Sequence, residues 1–183
     1  EQQFRPAEKP KRVVVVGGGI AGCEAARVAA MRGHHVILLE QGKRLGGQLL
    51  IAARAPGRDS FEDQAYFEEN EMARLGVDVR LQTAADIAAI KALSPQAVVI
   101  ATGSVPRVPD DVPGIGLPHV AQGWDVMLGK VPTGDRVAVI SQEDYYQTPT
   151  VAEFLAARGK QVEVFHKSVH LGTEIARYSI GMV

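Results

Sequence analysis

The chain lacks several features that would define a class of function. It has one cysteine, Cys23, in 183 residues, so it cannot form a disulfide or a redox dithiol within itself. So few cysteines favour a reducing, cytoplasmic location. A formal charge of −1 provides no basic surface for nucleic acid. No apolar run approaches the roughly 20 residues that span a bilayer, and we expect neither nucleic acid nor membrane as a partner.

Signatures of metal binding and nucleophilic catalysis are also missing. The five histidines lack the paired spacing and carboxylate partners of a metal site, and no nucleophile motif accompanies them. We therefore predict no metal ligand and no catalytic residue in this chain. Cys23 is interpreted as a packing residue of the first helix. Glu68, Glu69 and Glu71 are interpreted as the solvated face of a later helix.

The most informative segment is VVVVGGGIAGCEAARVAAMRGHHVILLE, residues 13–40. It predicts a strand, a glycine turn, a helix and a second strand that ends at an acid. Gly17, Gly19 and Gly22 fit G-x-G-x-x-G, in which the glycines permit the tight turn, the approach of a pyrophosphate and close packing of the helix. Glu40 can accept hydrogen bonds from the adenosine ribose. The segment predicts a dinucleotide or ADP site.

The remaining pattern alternates strands with helices. Further strands are predicted at 77–81 and 97–101, the latter buried, with a helix at 60–75 and a helix or turn at 86–93. Residues 41–59 form a long Gly- and Arg-rich connection and are a candidate functional loop. Alternation of this kind predicts an α/β fold with a doubly wound, Rossmann-like parallel sheet.

A second, incomplete βαβ unit follows a proline-punctuated stretch. Its predicted elements are a strand at 136–140, a helix at 150–158 and a strand at 162–165. The chain is thus divided into four predicted segments: a linker (1–11), a dinucleotide- or ADP-binding domain (12–108), a crossover connection (109–134) and an incomplete second domain (135–183).

Four segments in order, GGGIAGCEAARVAAMRGHHVILLE, RLGGQL, APGR and VVIATGSVPRVP, resemble a known family. This is the C-terminal FAD/NAD(P)-binding portion of the 2,4-dienoyl-CoA reductase and trimethylamine dehydrogenase family, the old-yellow-enzyme-like NADH:flavin oxidoreductases. The resemblance implies an upstream flavin-barrel domain with FMN and a cysteine-ligated 4Fe-4S cluster. It also implies that FAD, or ADP in its place, binds to this chain in a Rossmann-like FAD-binding domain (12–108), and that 135–183 is a degenerate, truncated pyridine-nucleotide-type domain.

The resemblance assigns cofactor-binding roles to particular residues. The pyrophosphate would lie on the glycine loop and the ribose on Glu40. The adenosine would lie beside Gln41 and Arg44. The flavin part of the cofactor would extend past residues 47–49 and the strand end at 101–103. The full set is Gly17, Gly19, Ile20, Ala21, Gly22, Glu40, Gln41, Arg44, Gly47, Gln48, Leu49, Ala101, Thr102 and Gly103. For Arg44 a solvated loop cation is the alternative, and for Gly46-Gly47 a plain turn.

The second βαβ unit departs from the NADPH-using members of the family. No glycine occurs between Ser141 and Arg158, and Glu143 and Asp144 would face a dianion. One like-charge pair at ~4 Å opposes binding by ~4 kcal/mol at an effective dielectric of about 20. A nicotinamide site is therefore not expected here. His166-Lys167 could serve a 2′-phosphate but is interpreted as a solvated strand end.

This departure resembles the trimethylamine and dimethylamine dehydrogenase branch, which implies electron transfer to a protein acceptor. The predicted function is an FAD- or ADP-binding domain of a multidomain flavin-dependent oxidoreductase, whose substrate chemistry lies upstream, so that this chain alone is not catalytic. The alternatives are an NAD(P)H-dependent enoate or dienoyl-CoA-type reductase and a non-catalytic nucleotide-binding or interaction module.

Overall fold

The computed structural model describes residues 4–141, 145–167 and 170–171. The chain forms two compact units: one consists of Glu1–Ala53 and Ser60–Val105, and the other of Arg54–Asp59 and Pro106–Val183. The four segments predicted from sequence, with their boundaries at 11, 108 and 134, stay predictions. No helix in the described part of the chain is both long and apolar enough to cross a membrane.

The first unit holds four strands and four helices among its described residues. In chain order these are β1 (Arg12–Val16), α1 (Ile20–Met31), β2 (His35–Leu39), α2 (Leu49–Ala52), α3 (Ser60–Arg74), β3 (Asp78–Arg80), α4 (Ile87–Ala92) and β4 (Ala97–Ile100). The strands form one parallel sheet in the order β3-β2-β1-β4. The predicted α/β class with a doubly wound parallel sheet is confirmed.

Burial on both faces explains why β1 is a run of four valines. Val13 and Val15 pack on one side of the sheet with Met72 of α3, and Val14 and Val16 pack on the other side with Ile90 of α4. Because a central parallel strand is covered on both faces, it has no polar face and shows no alternation. This central strand also determines where the glycine loop leaves the sheet.

The strand predicted at 97–101 is present as β4 (Ala97–Ile100), but the prediction that it is buried is wrong. β4 lies at the edge of the sheet and alternates between half-buried and exposed residues. Val98 is 41% exposed and Ile100 is 67% exposed. The sequence AVVI has the composition of a central strand, but composition does not determine which strand lies at the edge.

The second unit contains a smaller β–α–β arrangement. Its described elements are α5 (Gly123–Met127), β5 (Arg136–Ser141), α6 (Gln147–Ala156) and β6 (Gln161–His166), with β5 parallel to β6. Met127 of α5 is buried, although this helix lies in the stretch predicted to be a crossover connection (109–134). Helix α6 begins three residues earlier than predicted because Pro149 lies in its first turn, where a proline is tolerated.

Candidate nucleotide site

The glycine loop after β1 contains two glycines that the fold itself requires. A Cβ on Gly17, whose φ is +105°, would lie 2.3 Å from the carbonyl oxygen of Ala101. A Cβ on Gly22 would lie 1.8 Å from the carbonyl oxygen of Gly17. Both clashes are with backbone, which cannot move aside cheaply. These two glycines therefore let α1 pack closely against β1 and the segment after β4.

Gly19 is different, because a Cβ built on it would meet nothing within 4 Å. It is the N-cap of α1 and has an extended backbone, φ −71° and ψ 175°, that any residue could adopt. Nothing in the fold therefore demands glycine here. The open space in front of this residue is where a ligand could approach the backbone.

The first turn of α1 carries no acidic residue. The first N–H groups of a helix have no partner within the helix, and the helix dipole adds a partial positive charge at this end. Ile20 and Ala21 supply the first two of these N–H groups. An anion such as a pyrophosphate would be stabilised directly in front of Gly19.

Glu40 lies at the carboxyl end of β2, and its carboxylate is already held in place. Oε2 accepts a hydrogen bond from the Gly18 N–H at 2.6 Å, and Oε1 accepts one from the Gly42 N–H at 2.5 Å. Each carboxylate oxygen can accept a second bond. Glu40 is therefore oriented before any ligand arrives and keeps acceptor capacity for two ribose hydroxyls.

The candidate functional loop docks on the glycine loop through backbone atoms. The Gly46 N–H donates to the Gly18 carbonyl at 2.8 Å, and Gly46 forms an isolated parallel bridge with Gly19. A Cβ on Gly47, whose φ is +54°, would lie 3.0 Å from the Cα of Gly19. Gly46-Gly47 thus brings a second stretch of backbone against the space in front of α1.

Gln48 connects this loop to the segment after β4. Its side-chain Nε2 donates to the carbonyl oxygen of Ser104 at 3.1 Å and to the Ser104 hydroxyl at 3.0 Å. The Ala101 N–H donates to the carbonyl of Val16 at 2.8 Å. Leu49 begins α2 beside this contact, and Thr102 and Gly103 are exposed there.

Three of the four motif segments therefore meet at one edge of the sheet in the first unit, whereas the fourth, APGR (55–58), belongs to the second unit. Ligands of open α/β sheets bind outside the carboxyl ends of the strands, which is the edge formed here by β1, β2 and β4. Gln41 is exposed at the same edge. That these residues contact a cofactor stays a prediction, since the contacts among them are contacts within the protein.

Arg44 is engaged by helix α3. Its Nη1 donates to Glu62 at 2.7 Å and its Nε donates to Glu69 at 3.2 Å. These two carboxylates, Glu69 most strongly, raise the pKa of the Arg44 guanidinium. The Tyr66 ring centroid lies 4.7 Å from Cζ of Arg44. A contact of Arg44 with adenosine stays a prediction, but its described partners all belong to α3.

Cys23 is buried, and its Sγ donates to the Gly18 carbonyl at 3.4 Å. Burial, reinforced by the charge of Glu68, raises the pKa of the thiol from 9.0 to about 12. Because the thiolate is the reactive form, this cysteine is chemically inert at neutral pH. Within the described ranges, no three His, Cys, Asp or Glu side chains cluster in a way that could hold a metal ion.

The expectation that Glu68 lies on a solvated helix face is wrong. Glu68 is 2% exposed, and the described residues provide no hydrogen-bond partner for its Oε2. Its Oε1 accepts a bond from Gln64 at 2.8 Å. The spacing of Glu68 from buried Ala65 and Met72, three and four residues, places it on the core stripe of α3, and that spacing was the available signal.

The predicted obstacle to nicotinamide binding, Glu143 with Asp144, lies outside the described residues. Next to it, the Thr148 hydroxyl donates a hydrogen bond to the Ser141 hydroxyl. Thr148, Pro149 and Thr150 are buried at the start of α6. Side chains therefore occupy the start of this helix, whereas the start of α1 has glycine.

The parallel sheet and its glycine loop define a nucleotide-binding, Rossmann-type domain of an oxidoreductase. The chain belongs to the pyridine nucleotide-disulphide oxidoreductase family, whose model matches residues 11–174. This family membership implies binding of FAD or NAD(P).

Particular relatives narrow this assignment. The chain is 40% identical over 180 residues to N,N-dimethylglycine/sarcosine dehydrogenase of Chromohalobacter salexigens, covering 94% of this chain and 26% of that protein. It is 39% identical to bilirubin reductase of Mediterraneibacter gnavus, covering 97% and 26%. The structure of 2-naphthoyl-CoA reductase matches with a TM-score of 0.92 at 34% identity, covering 97% and 26%.

These relatives confirm the resemblance to the 2,4-dienoyl-CoA reductase and trimethylamine dehydrogenase family. The chain spans about a quarter of the length of each relative, 26% in all three cases. The relatives therefore have further domains beyond the portion that this chain matches.

Proposed function

We propose that this chain is the FAD- or ADP-binding portion of a multidomain flavin-dependent oxidoreductase. The observation that carries the proposal is the contrast within the glycine loop. Gly17 and Gly22 are required by backbone contacts, whereas Gly19 borders open space at the helix N-terminus. At a helix N-terminus, a glycine that the fold itself does not need leaves room for a ligand to approach the backbone.

The residues present fit the adenosine and pyrophosphate part of the cofactor. The pyrophosphate would bind the first N–H groups of α1, at Gly19, Ile20 and Ala21. Glu40 would accept bonds from the ribose hydroxyls, with Gln41 at the adenosine end. Gly47, Gln48, Leu49 and the segment Ala101–Gly103 would line the side on which the rest of FAD extends. When bound, FAD would supply a carrier for one or two electrons, whereas ADP would be redox-inert.

The parent enzyme's chemistry is part of the same proposal. By analogy with the family, an upstream portion would hold FMN and a 4Fe-4S cluster and would act on the substrate. Electrons would then leave to a protein acceptor, as in the amine dehydrogenase branch that the glycine-free second unit resembles. The single cysteine supports a cytoplasmic location.

Calorimetric titration of the chain with ADP and with FAD tests the proposal. We expect one site with a dissociation constant on the order of 1 µM, about −8 kcal/mol. Gly19→Val would fill the open space with a side chain, and we expect it to weaken ADP binding by roughly 100-fold or more, while the thermal midpoint stays within about 2 °C.

Gly116→Val is the matched control. A Cβ on Gly116 also meets nothing within 4 Å, and its φ is not left-handed. This variant should bind ADP like the unmodified chain. Equal affinity of Gly19→Val and Gly116→Val for ADP would overturn the proposal. NADPH-driven reduction of added flavin above the free-solution rate would favour a self-contained reductase. Absence of nucleotide binding would favour a non-catalytic module.

A further inference from the structure

Arg44 joins two parts of the first unit that are far apart in sequence. It directly precedes the loop Leu45–Gly47, yet its guanidinium reaches α3, 18 and 25 residues further along the chain. The Arg44 side chain is 33% exposed, and those of Glu62 and Glu69 are 46% and 32% exposed. The contact is thus only partly solvated, and its ion pairs are less screened than fully exposed ones.

The partners of Arg44 share one stripe of α3. Glu62, Tyr66 and Glu69 are spaced four and three residues apart, which places them above one another on a helix. Glu62 accepts a hydrogen bond from Nη1 of Arg44. Glu69 accepts hydrogen bonds from Nε at 3.2 Å and from Nη2 at 3.5 Å. The guanidinium also lies over the Tyr66 ring. A planar fork held by two carboxylates and an aromatic ring has one defined orientation.

The loop that follows Arg44 is tied to the glycine loop. Leu45 is 2% exposed and packs in the core with Val15 and Cys23. The next residue, Gly46, bonds to the Gly18 carbonyl, and Gly47 contacts Gly19. Only three residues therefore separate the Arg44 side chain from the backbone that borders the open space at Gly19. A change in the position of Arg44 would displace that backbone.

We propose that Arg44 is a positioning residue that anchors the loop Leu45–Gly47 to α3 and thereby sets the distance of Gly47 from Gly19. The proposal rests on the proposed function for its ligand, an adenosine diphosphate group at Gly19. It assigns to Glu62 and Glu69 of α3 a role in nucleotide binding, although neither borders the glycine loop in the contacts described. Arg44 acts through these partners and not by a contact with adenosine.

The first test uses the ligand-free chain. Hydrogen exchange of the Gly46 amide, followed by NMR, reports the bond to Gly18. We expect Arg44→Met, and separately the double variant Glu62→Gln/Glu69→Gln, to raise the exchange rate by roughly five- to tenfold. Glu71→Gln is the matched control, since it removes a different ion pair of the same helix, with Arg74. Unchanged Gly46 exchange in Arg44→Met would overturn the proposal.

The second test is a double-mutant cycle on ADP affinity. For a positioning residue, Arg44→Met weakens ADP binding by roughly three- to tenfold, and the loss nearly vanishes when Glu62→Gln/Glu69→Gln is already present. Arg44→Lys, which keeps the charge but loses the fork, should recover part of the affinity. A loss of the same size in both backgrounds would mean direct contact with the nucleotide and would overturn the proposal.

The two tests separate this proposal from the proposed function. If the unmodified chain binds neither ADP nor FAD, the proposed function fails, while Gly46 exchange still decides whether Arg44 holds the loop. If ADP binds and Gly46 exchange is insensitive to Arg44, the proposed function stands and the positioning role is rejected.

Discussion

The two β–α–β arrangements of this chain differ at the start of the helix that follows their first strand. In the first unit, α1 begins at Ile20 behind a glycine whose front is open. In the second, α6 begins at Gln147 with three consecutive buried side chains, Thr148 to Thr150. The two share a parallel strand–helix–strand order, yet only the first presents bare backbone at a helix N-terminus. What separates them is the small set of residues at the turn, and not the topology.

The first strands of the two arrangements, β1 and β5, also differ in how deeply they are buried. β1 is buried over four consecutive valines, whereas β5 alternates between exposed and half-buried residues, with Ile140 71% exposed. A sheet covered on both faces holds its loops rigidly, which a preorganised site requires.

The largest effect is expected for Gly22→Val. Its Cβ would lie 1.8 Å from the Gly17 carbonyl oxygen, and we expect a loss of about 3 kcal/mol or more in the free energy of unfolding. The counterpart in the second unit is Gly159→Ala, where φ is +77° and the space is open. Strain alone should cost about 1 kcal/mol there.

Urea unfolding followed by circular dichroism measures both variants. Fluorescence of Trp124, the single tryptophan, reports on the second unit. Similar losses for Gly22→Val and Gly159→Ala would show that the glycine loop is not the more constrained of the two.

A smaller effect is expected for Glu40→Gln. The amide keeps an acceptor oxygen but loses the charge that faces the Gly18 and Gly42 N–H groups. We expect a loss of about 1–2 kcal/mol in unfolding free energy and roughly tenfold weaker ADP binding. His166→Gln, at the corresponding end of β6, should leave ADP affinity unchanged. Calorimetry compares them, and weaker binding by His166→Gln would place the nucleotide in the second unit.

The smallest effect is a dependence of stability on pH at Glu68. Burial raises the pKa of this carboxyl above its ordinary value of 4.5, a shift that Gln64 partly opposes by its hydrogen bond. Glu24 and Glu71 raise it further, and Arg27 lowers it. The folded state therefore binds the proton more tightly than the unfolded state, so the contribution of Glu68 to stability declines as pH rises above 4.5.

Glu68→Gln should accordingly be more stable than the unmodified chain at pH 8 by on the order of 1 kcal/mol. The difference should shrink towards pH 4. Thr150→Val in the second unit is the uncharged comparison, because the Thr150 hydroxyl is also buried with no partner among the described residues. Its effect should not vary with pH. Urea unfolding between pH 4 and pH 8 tests this, and parallel curves for Glu68→Gln and the unmodified chain would contradict it.

Much of the first unit could be predicted because its signals are local. The start of α1 at Ile20 and its end before Gly33 follow from glycines whose effect on the backbone does not depend on distant partners. The run of four valines in β1 is typical of a strand that is covered on both faces. The convergence of three of the motif segments at one sheet edge follows from the parallel order of the strands.

The errors concern features that depend on distant neighbours. The exposure of β4 depends on its position at the edge of the sheet, and the burial of Glu68 depends on α1 packing against its side of α3. A carboxylate in a polar helix is normally solvated, so the composition of α3 predicts that Glu68 is exposed, whereas it is buried. The partners of Arg44 could not be predicted because helix α3 returns to the loop only in the folded unit.

By itself, then, the sequence determined the fold class, the family and the glycine loop from Gly17 to Gly22. Their signals lie in backbone preferences and in periodicity over a few residues. Only the tertiary structure decided which glycine borders open space, how Glu40 is held and what binds Arg44. The contacts include pairs far apart in sequence, from 18 positions for Arg44 and Glu62 to 84 positions for Gly17 and Ala101, and chain folding alone brings such residues together.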